Sequence, residues 1–348
     1  MSAPRLLQAI AGGEHGGAEA FFTRLAIALH GAGVEQRIVM RSNAPRVGLL
    51  RAAGLEPIEA RFGGPLDAVT RITLAGEIRR FRPDIVLTWM NRATALMPPR
   101  FLARHRYVHV ARLGGYYDLR YYRRCDHLIG NTQDLVEHMA RSGWPRERIH
   151  YLPNFVDATA AAPIARAAFD TPDVSPLILA LGRLHPNKAF DVLLRALAQA
   201  PGAYLWLAGE GGERAALEAL AHELDIGARV RFLGWREDVA ALMAAADMLA
   251  CPSRLEPLGN VVIEAWAHRL PVIAAASAGP ASLIRHEETG LLSPIDDPTA
   301  LAASIRRLAA DPAMRARLSA AGRLAYEAGF TQAAVVARYL DLFGKVAA

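Results

Sequence analysis

The sequence predicts an α/β protein made of two doubly wound, parallel-sheet domains facing each other across a cleft. Three observations carry this expectation. The chain has 348 residues, enough for two compact domains on the usual scale of ~100 to 200 residues each. Short apolar β-like runs alternate with stretches whose apolar residues recur at spacings of three and four, which implies parallel strands joined by crossover helices. The alternation breaks off at 154–176, a stretch rich in Pro, Ala and Asp, and then restarts.

In the first half the predicted strands are 5–10, 36–41, 84–89, 107–111 and 127–130. The helix after the first strand shows its buried face in Phe21, Leu25, Ala28 and Leu29. After the break, which reads as an interdomain linker, the strands are 177–181, 204–208, 230–233, 248–251 and 272–275, each followed by helical sequence. The expected domains are 1–157 and 158–330, with a C-terminal helix at about 331–348 packing back on the first. Ligands of such sheets bind outside the carboxyl ends of the strands.

Composition narrows the class. Hydrophobic residues make up 52% of the chain and charged residues 21%, a globular balance that excludes disordered, collagen-like and disulfide-stapled proteins. The sequence carries no apolar run of membrane-spanning length and no secretory leader pattern, so the expected location is the cytoplasm. Cys125 and Cys251 are far apart and lack metal-ligand spacing, and they read as buried thiols. The net charge of +6 is uneven: residues 1–157 hold 22 arginines against 14 acids, a net +8. That half either faces an anionic partner, including the inner face of the plasma membrane as a peripheral protein, or presents a solvated arginine-rich surface. Lys188 and Lys345 are the only lysines among 40 basic residues.

Four segments carry chemistry. Gly12-Gly13-Glu14-His15-Gly16-Gly17-Ala18-Glu19 follows the first strand and opens a helix, so its amides suit a phosphate or sugar contact; a plain turn is the alternative. Its spacing is not the dinucleotide GxGxxG, and Arg41 and Ser42 stand where a ribose-binding acid would end the second strand, which disfavours a dehydrogenase. Gly182-Arg183-Leu184-His185-Pro186-Asn187-Lys188 ends the first strand of the second domain. Arg183 and Lys188, at the start of the next helix, converge on one spot, and two cations there suit a diphosphate. Gly209-Glu210-Gly211-Gly212 either supplies further amides to a nucleotide or forms a tight strand-to-helix turn. In Glu256-Pro257-Leu258-Gly259-Asn260-Val261-Val262-Ile263-Glu264, Glu256 precedes a helix and Glu264 lies two turns inside it. Both acids then line one pocket wall, with the amides of Leu258, Gly259 and Asn260 forming an anion site between them.

Together, Gly182-Arg183…Lys188, Gly209-Glu210-Gly211, Phe232-Leu233-Gly234, Asp247, Pro252-Ser253, Glu256-x7-Glu264, Gly279 and Thr289-Gly290-Leu291-Leu292 resemble the second domain of retaining glycosyltransferases of family 4. Leu152-Pro153-Asn154-Phe155-Val156-Asp157 resembles that family's interdomain crossing. The resemblance implies the GT-B fold of two Rossmann-like domains. It also implies that Arg183 and Lys188 stabilise the diphosphate of a nucleotide-activated sugar, that Glu264 binds the ribose and that Glu256 faces the transferred sugar. Gly16 and Gly17 match the loop that closes on the donor. The sequence has no Asp-x-Asp, so no metal and no cofactor beyond the nucleotide-sugar co-substrate is expected.

For the acceptor the candidates are Asn91, His109 and Arg112, of which the last two face opposite sides of one strand. Arg120-Tyr121-Tyr122-Arg123-Arg124, with Arg100, Arg104 and Arg106 upstream, suits an anionic glycolipid or membrane surface, or is a solvated helix face. No RNA-binding signature accompanies these residues, so nucleic acid is not an expected partner. The reading is a retaining, metal-independent hexosyltransferase that moves a sugar from a nucleoside diphosphate to a saccharide or lipid-linked saccharide, in lipopolysaccharide or other envelope glycan synthesis. A non-catalytic nucleotide-sugar-binding protein and a nucleotide-sugar epimerase of the same fold are the rivals.

Overall fold

A computed structural model describes residues 4–13, 16–64 and 66–347. Glu14 and His15 of the first glycine-rich segment lie outside the described residues. The chain divides into two compact units, one comprising 1–154 with 332–348 and the other 155–331.

The first unit is built on seven parallel strands: β1 (Leu6–Ile10), β2 (Gln36–Arg41), β3 (Ile58–Ala60), β4 (Ile85–Trp89), β5 (Val108–Leu113), β6 (His127–Gly130) and β7 (Ile149–Tyr151). Their order is β3-β2-β1-β4-β5-β6-β7. The second unit has β8 (Leu177–Leu181), β9 (Tyr204–Ala208), β10 (Val230–Gly234), β11 (Met248–Cys251), β12 (Val272–Ala275) and β13 (Leu291–Ser293), in the order β10-β9-β8-β11-β12-β13. Each sheet thus runs outward from its first strand in both directions, and the reversal falls between β1 and β4 in one unit and between β8 and β11 in the other. A crevice opens at such a reversal, because the connections to either side leave over opposite faces.

The strands β8, β9, β11 and β12 are apolar along their length because both faces are covered. In β8 and β9, Ile178, Ala180, Leu205 and Leu207 pack into one core, while Leu177, Leu179, Trp206 and Ala208 pack into the other. The first unit likewise buries Leu7, Ala9, Val39 and Val86 in one cluster and Ala111, Leu113 and Leu128 in another. Helices start where the sequence supplies caps: Thr132, Asp297 and Asp311 each accept a backbone N–H in the first turn, the last two ahead of a proline.

Three strands were not anticipated: β3, β7 and β13. Each has three residues and lies at a sheet edge, too short to show a period of two. The stretch 154–176 is also not the free linker its composition suggests. From Phe155 onward it belongs to the second unit. The Arg166 guanidinium donates to the carbonyls of Ala245, Asp173 and Ser175 and pairs with Asp247 at 3.0 Å, and Trp206 Nε1 donates to Thr171 Oγ1 at 2.9 Å. The helix Gln332–Ala347 packs in the first unit, where Tyr339 is buried and accepts from Arg112 Nε at 2.8 Å.

Candidate active site

In the second unit the charged residues gather at the reversal point. Arg183 follows β8, is exposed, and has no side-chain partner among the described residues. Lys188 closes a short 3-10 turn, Pro186–Lys188, two residues before the helix Phe190–Ala198 rather than within it. Its Nζ forms an ion pair with Glu256 Oε2, an interaction only 25% and 12% exposed on the two sides. Glu256, past the end of β11, is further held by the Gly259 amide at 3.3 Å and lies 3.5 Å from Ser253 Oγ. The neighbouring carboxylate, after burial itself, helps push the Cys251 thiol up to about 11, so that this sulfur is an inert buried group.

Gly259 has a left-handed backbone, φ 73°, and the helix Asn260–Ala267 starts directly behind it. Glu264 is therefore little more than one turn into that helix, not two, and is half-buried. Leu258 and Asn260 flank the helix start as the spacing implied, but the Gly259 amide is already bound to Glu256. The glycine pair at β8 and β9 has a mainly steric task. A Cβ on Gly209 would stand 1.9 Å from the Gly182 carbonyl oxygen, and both residues have positive φ, at 149° and 143°. The Gly209 amide donates to Gly234 O at 2.7 Å and the Gly182 amide to Ala208 O at 3.0 Å, so these two serve the turn; Glu210 remains exposed at its edge.

Arg254 was not singled out from sequence, yet it fixes this arrangement. Its guanidinium makes a bidentate pair with Asp191 at 2.9 and 2.7 Å, donates to Pro186 O at 2.8 Å and reaches Asp296 at 2.5 Å. The Leu255 amide adds a bond to Asn187 O at 3.2 Å. The loop after β11 is thereby locked to the loop after β8, which sets Glu256 against Lys188.

In the first unit the equivalent loop is differently filled. Gly16 caps the helix Gly17–Gly31, and the buried Glu19 carboxylate folds back beneath the glycines to accept from the Gly13 amide at 2.9 Å. A Cβ on Gly12 or Gly16 would fall 2.4 and 2.2 Å from Glu19 side-chain atoms, so any larger residue there would displace the Glu19 carboxylate from beneath the loop. Arg46 closes the group by donating to Gly13 O at 3.1 Å. Glu19 stood in the quoted segment without an assigned role, because nothing in its spacing shows that it reaches backward.

The acceptor-side candidates separate in space. Arg112 is 1% exposed; it donates to Asn154 Oδ1 at 2.5 Å as well as to Tyr339, and lies over the rings of Phe21 and Trp89 at 4.6 and 4.9 Å. It joins β5 to the C-terminal helix rather than facing an open surface. His109 sits near the start of β5, away from its carboxyl end, and is buried against Thr88 Oγ1 at 3.0 Å. Burial drives its pKa down to about 4, so the ring is neutral at ordinary pH. Asn91 does reach a cavity: it follows β4 and, with Arg71, Arg92 and Tyr121, lines a space of about 430 Å³.

The anionic-surface candidates split in the same way. Arg123 and Arg124 are exposed, Arg120 is exposed but paired with Asp118 at 2.9 Å, and Tyr121 is 38% exposed. Tyr122 is fully buried, and no partner for its hydroxyl is present among the described residues. The segment Leu119–Tyr122 is a single 3-10 turn, so Tyr121 and Tyr122 point to different environments. Upstream, Phe101 is 75% exposed between Arg100 and Arg104. No described helix is long and apolar enough to cross a membrane.

Comparison with known proteins identifies the family and the fold. Residues 163–325 match the model described as glycosyl transferases group 1, and residues 15–160 match that of glycosyltransferase family 4. The chain is 37% identical, over 340 residues, to the lipopolysaccharide core biosynthesis glycosyltransferase LpsD of Rhizobium meliloti, covering 96% of each sequence. The structure of Anabaena Alr3699/HepE in complex with UDP aligns with a TM-score of 0.86 at 22% identity, covering 98% of this chain and 100% of that one. A glycosyltransferase from Rickettsia africae aligns with a TM-score of 0.89 at 19% identity, over 99% of both. At these identities the structures establish the fold, which is GT-B with two Rossmann-like domains.

Proposed function

From the premise that this chain belongs to the glycosyl transferases group 1 family, we propose that it is a retaining, metal-independent hexosyltransferase. It takes a sugar from a nucleoside diphosphate and transfers it to a saccharide or lipid-linked saccharide acceptor of lipopolysaccharide core or related envelope glycan synthesis. One observation carries the reading: Arg183, without a side-chain partner among the described residues, lies at the reversal point of the second sheet, whose neighbouring loop presents the Lys188–Glu256 pair.

The bond between sugar and diphosphate breaks with negative charge gathering on the departing phosphate oxygens. Arg183 supplies a cation for that charge, and Lys188, which has three donors, holds Glu256 with one and keeps others for phosphate. This cationic pair does the work that an Asp-x-Asp metal site does elsewhere, which supports metal independence. Glu256, held by Lys188 and the Gly259 amide, would meet the transferred sugar, and Glu264 the ribose. The UDP held by HepE makes UDP-sugars the first donors to test. Exposed Phe101 beside Arg100 and Arg104, with Arg123 and Arg124 nearby in sequence, supports peripheral attachment to the anionic cytoplasmic face of the membrane.

The test is calorimetry with UDP, GDP and ADP and their sugars, followed by transfer from the tightest donor to truncated lipopolysaccharide. Glu264→Gln should weaken nucleotide and donor alike; Glu256→Gln should weaken the sugar-bearing donor only. Fresh product should keep the donor's anomeric configuration by proton NMR, in EDTA as without it. An inverted anomer, or activity abolished by EDTA and restored by a divalent metal, overturns the proposal.

A further inference from the structure

We propose that the cavity beside β4 is a binding site for an acidic saccharide, one bearing a phosphate or carboxylate, and that Arg92 reads its charge. The proposal rests on the reading that Asn91 and the other acceptor-side candidates, all in the first unit, mark where the acceptor binds. The cavity is rimmed by segments that follow three strands at their carboxyl ends: Gly63 and Gly64 after β3, Asn91 and Arg92 after β4, and Tyr121 after β5. Ligands of doubly wound sheets collect at that edge. Its volume, about 430 Å³, falls within the range of small-molecule sites.

The lining chemistry selects the ligand. Two guanidinium groups, Arg71 and Arg92, face the space, and no carboxylate is among its described lining residues. Arg71 donates to the carbonyls of Met97 and Ala95 at 3.3 and 3.2 Å, which orient its guanidinium at the cavity wall. Arg92 is exposed and forms no ion pair among the described residues. A cation without a counter-ion at a concave site favours an anion, and a guanidinium matches the fork of a phosphate or carboxylate. The remaining groups suit a sugar: the Asn91 amide both donates and accepts toward hydroxyls, and the Tyr121 ring offers a flat apolar face. The chain also bends sharply to deliver these residues. Met90 adopts φ 60° directly after β4, a left-handed conformation that is unfavourable for a side chain of this size and turns Asn91 and Arg92 out of the strand direction.

The experiment measures binding of glucose 6-phosphate, glucuronate, glucose and inorganic phosphate to the full chain, with UDP as a separate ligand. Both acidic sugars should bind more tightly than glucose, and glucose 6-phosphate more tightly than inorganic phosphate. Arg92→Gln should lower affinity for the acidic sugars roughly ten- to a hundredfold, the usual weight of a charge-assisted bond, with glucose unchanged. The inference is overturned if glucose binds as well as its 6-phosphate, if inorganic phosphate matches the sugar phosphate, or if Arg92→Gln leaves acidic-sugar affinity intact. UDP affinity should be equal in wild type and Arg92→Gln, which shows that the variant is folded. Failure of every nucleotide to bind either protein would sink the donor reading of the second unit and leave the acidic-sugar result to stand or fall separately.

Discussion

The two units share a strand order yet put different chemistry at the same topological point. Where the second unit carries Arg183, Lys188 and Glu256 beside β8, the first carries glycines folded over a buried carboxylate beside β1. The second is wired across its crevice by Arg254, whereas the arginines of the first unit's cavity stand clear of any lining carboxylate. A common scaffold thus fixes where ligands go, and the loops decide which charge they meet. On this view the second unit is preorganised for a polyanion that must leave, and the first for a substrate that must be recognised.

The largest effect that can break the contrast is on turnover. Arg183→Ala should reduce kcat about a hundredfold, the usual scale for losing one group that stabilises charge in a transition state, with the melting temperature unchanged because the exposed Arg183 has no side-chain partner among the described residues. Lys188→Ala should cost as much in rate and also destabilise the fold, since it leaves Glu256 without its cation in a poorly solvated place. Near-normal turnover of Arg183→Ala at saturating donor would place the diphosphate elsewhere.

The next effect is on how stability depends on pH. His109 titrates near 4 in the folded first unit because burial disfavours its charged form, with Asp126 acting in the opposite sense, whereas the unfolded chain titrates near 6.5. Between those values the unfolded state binds more protons, so the stabilisation present above pH 6.5 is lost as pH falls toward 4. The loss is about 2 kcal/mol at pH 5, and thermal unfolding followed at pH 7 and pH 5 should show it. In His109→Gln the acid slope should flatten. An unchanged slope would mean that His109 is solvated and open to ligand.

Arg254 gives the third. Arg254→Ala should weaken donor binding about tenfold by freeing the loop after β11 from Asp191, an interaction that is partly solvent-exposed and discounted accordingly. Arg254→Lys should recover only part, because an ammonium cannot reproduce the bidentate pair. A loss confined to kcat, with donor affinity intact, would make Arg254 a contact of the reacting sugar instead.

The sequence made these features legible to different degrees, for reasons particular residues display. The central strands were readable because burial on both faces leaves unbroken apolar runs, as in Leu177–Leu181. Edge strands such as Ile58–Ala60 have no such run. Lys188 stood out by rarity and Glu256 by its place before a helix, and the structure does bring them together. Arg254 was illegible because its partner Asp191 is 63 residues away, and nothing local marks one surface arginine among many. Arg166 escaped for the same reason, since it reaches the Ala245 carbonyl 79 residues away, whereas Glu19 escaped because nothing in its spacing shows that it turns back to the Gly13 amide. Composition read 154–176 as a tether, but a single arginine bonded to several carbonyls makes much of it part of a domain.

The smallest expected effect tests the surface of the first unit. Tyr122 was grouped with Arg120, Tyr121, Arg123 and Arg124 as a contact to an anionic surface, but it is fully buried and its hydroxyl meets no partner among the described residues. Burying a hydroxyl without a hydrogen bond costs about 1–3 kcal/mol, whereas the ring contributes favourably by packing in the cluster around Leu113 and Leu128. Tyr122→Phe keeps the ring and removes the orphan group. It should hold or raise the melting temperature, by roughly 2–4 °C for each kcal/mol regained in a unit of this size. Binding to anionic vesicles should be identical to wild type, while Arg123→Ser with Arg124→Ser lowers it at low salt, since such attraction is screened over a Debye length of about 8 Å at physiological ionic strength. A drop in melting temperature for Tyr122→Phe would reveal a partner for the hydroxyl. Weaker vesicle binding by that variant would return Tyr122 to the surface and dissolve the distinction between the exposed arginines and the core beneath them.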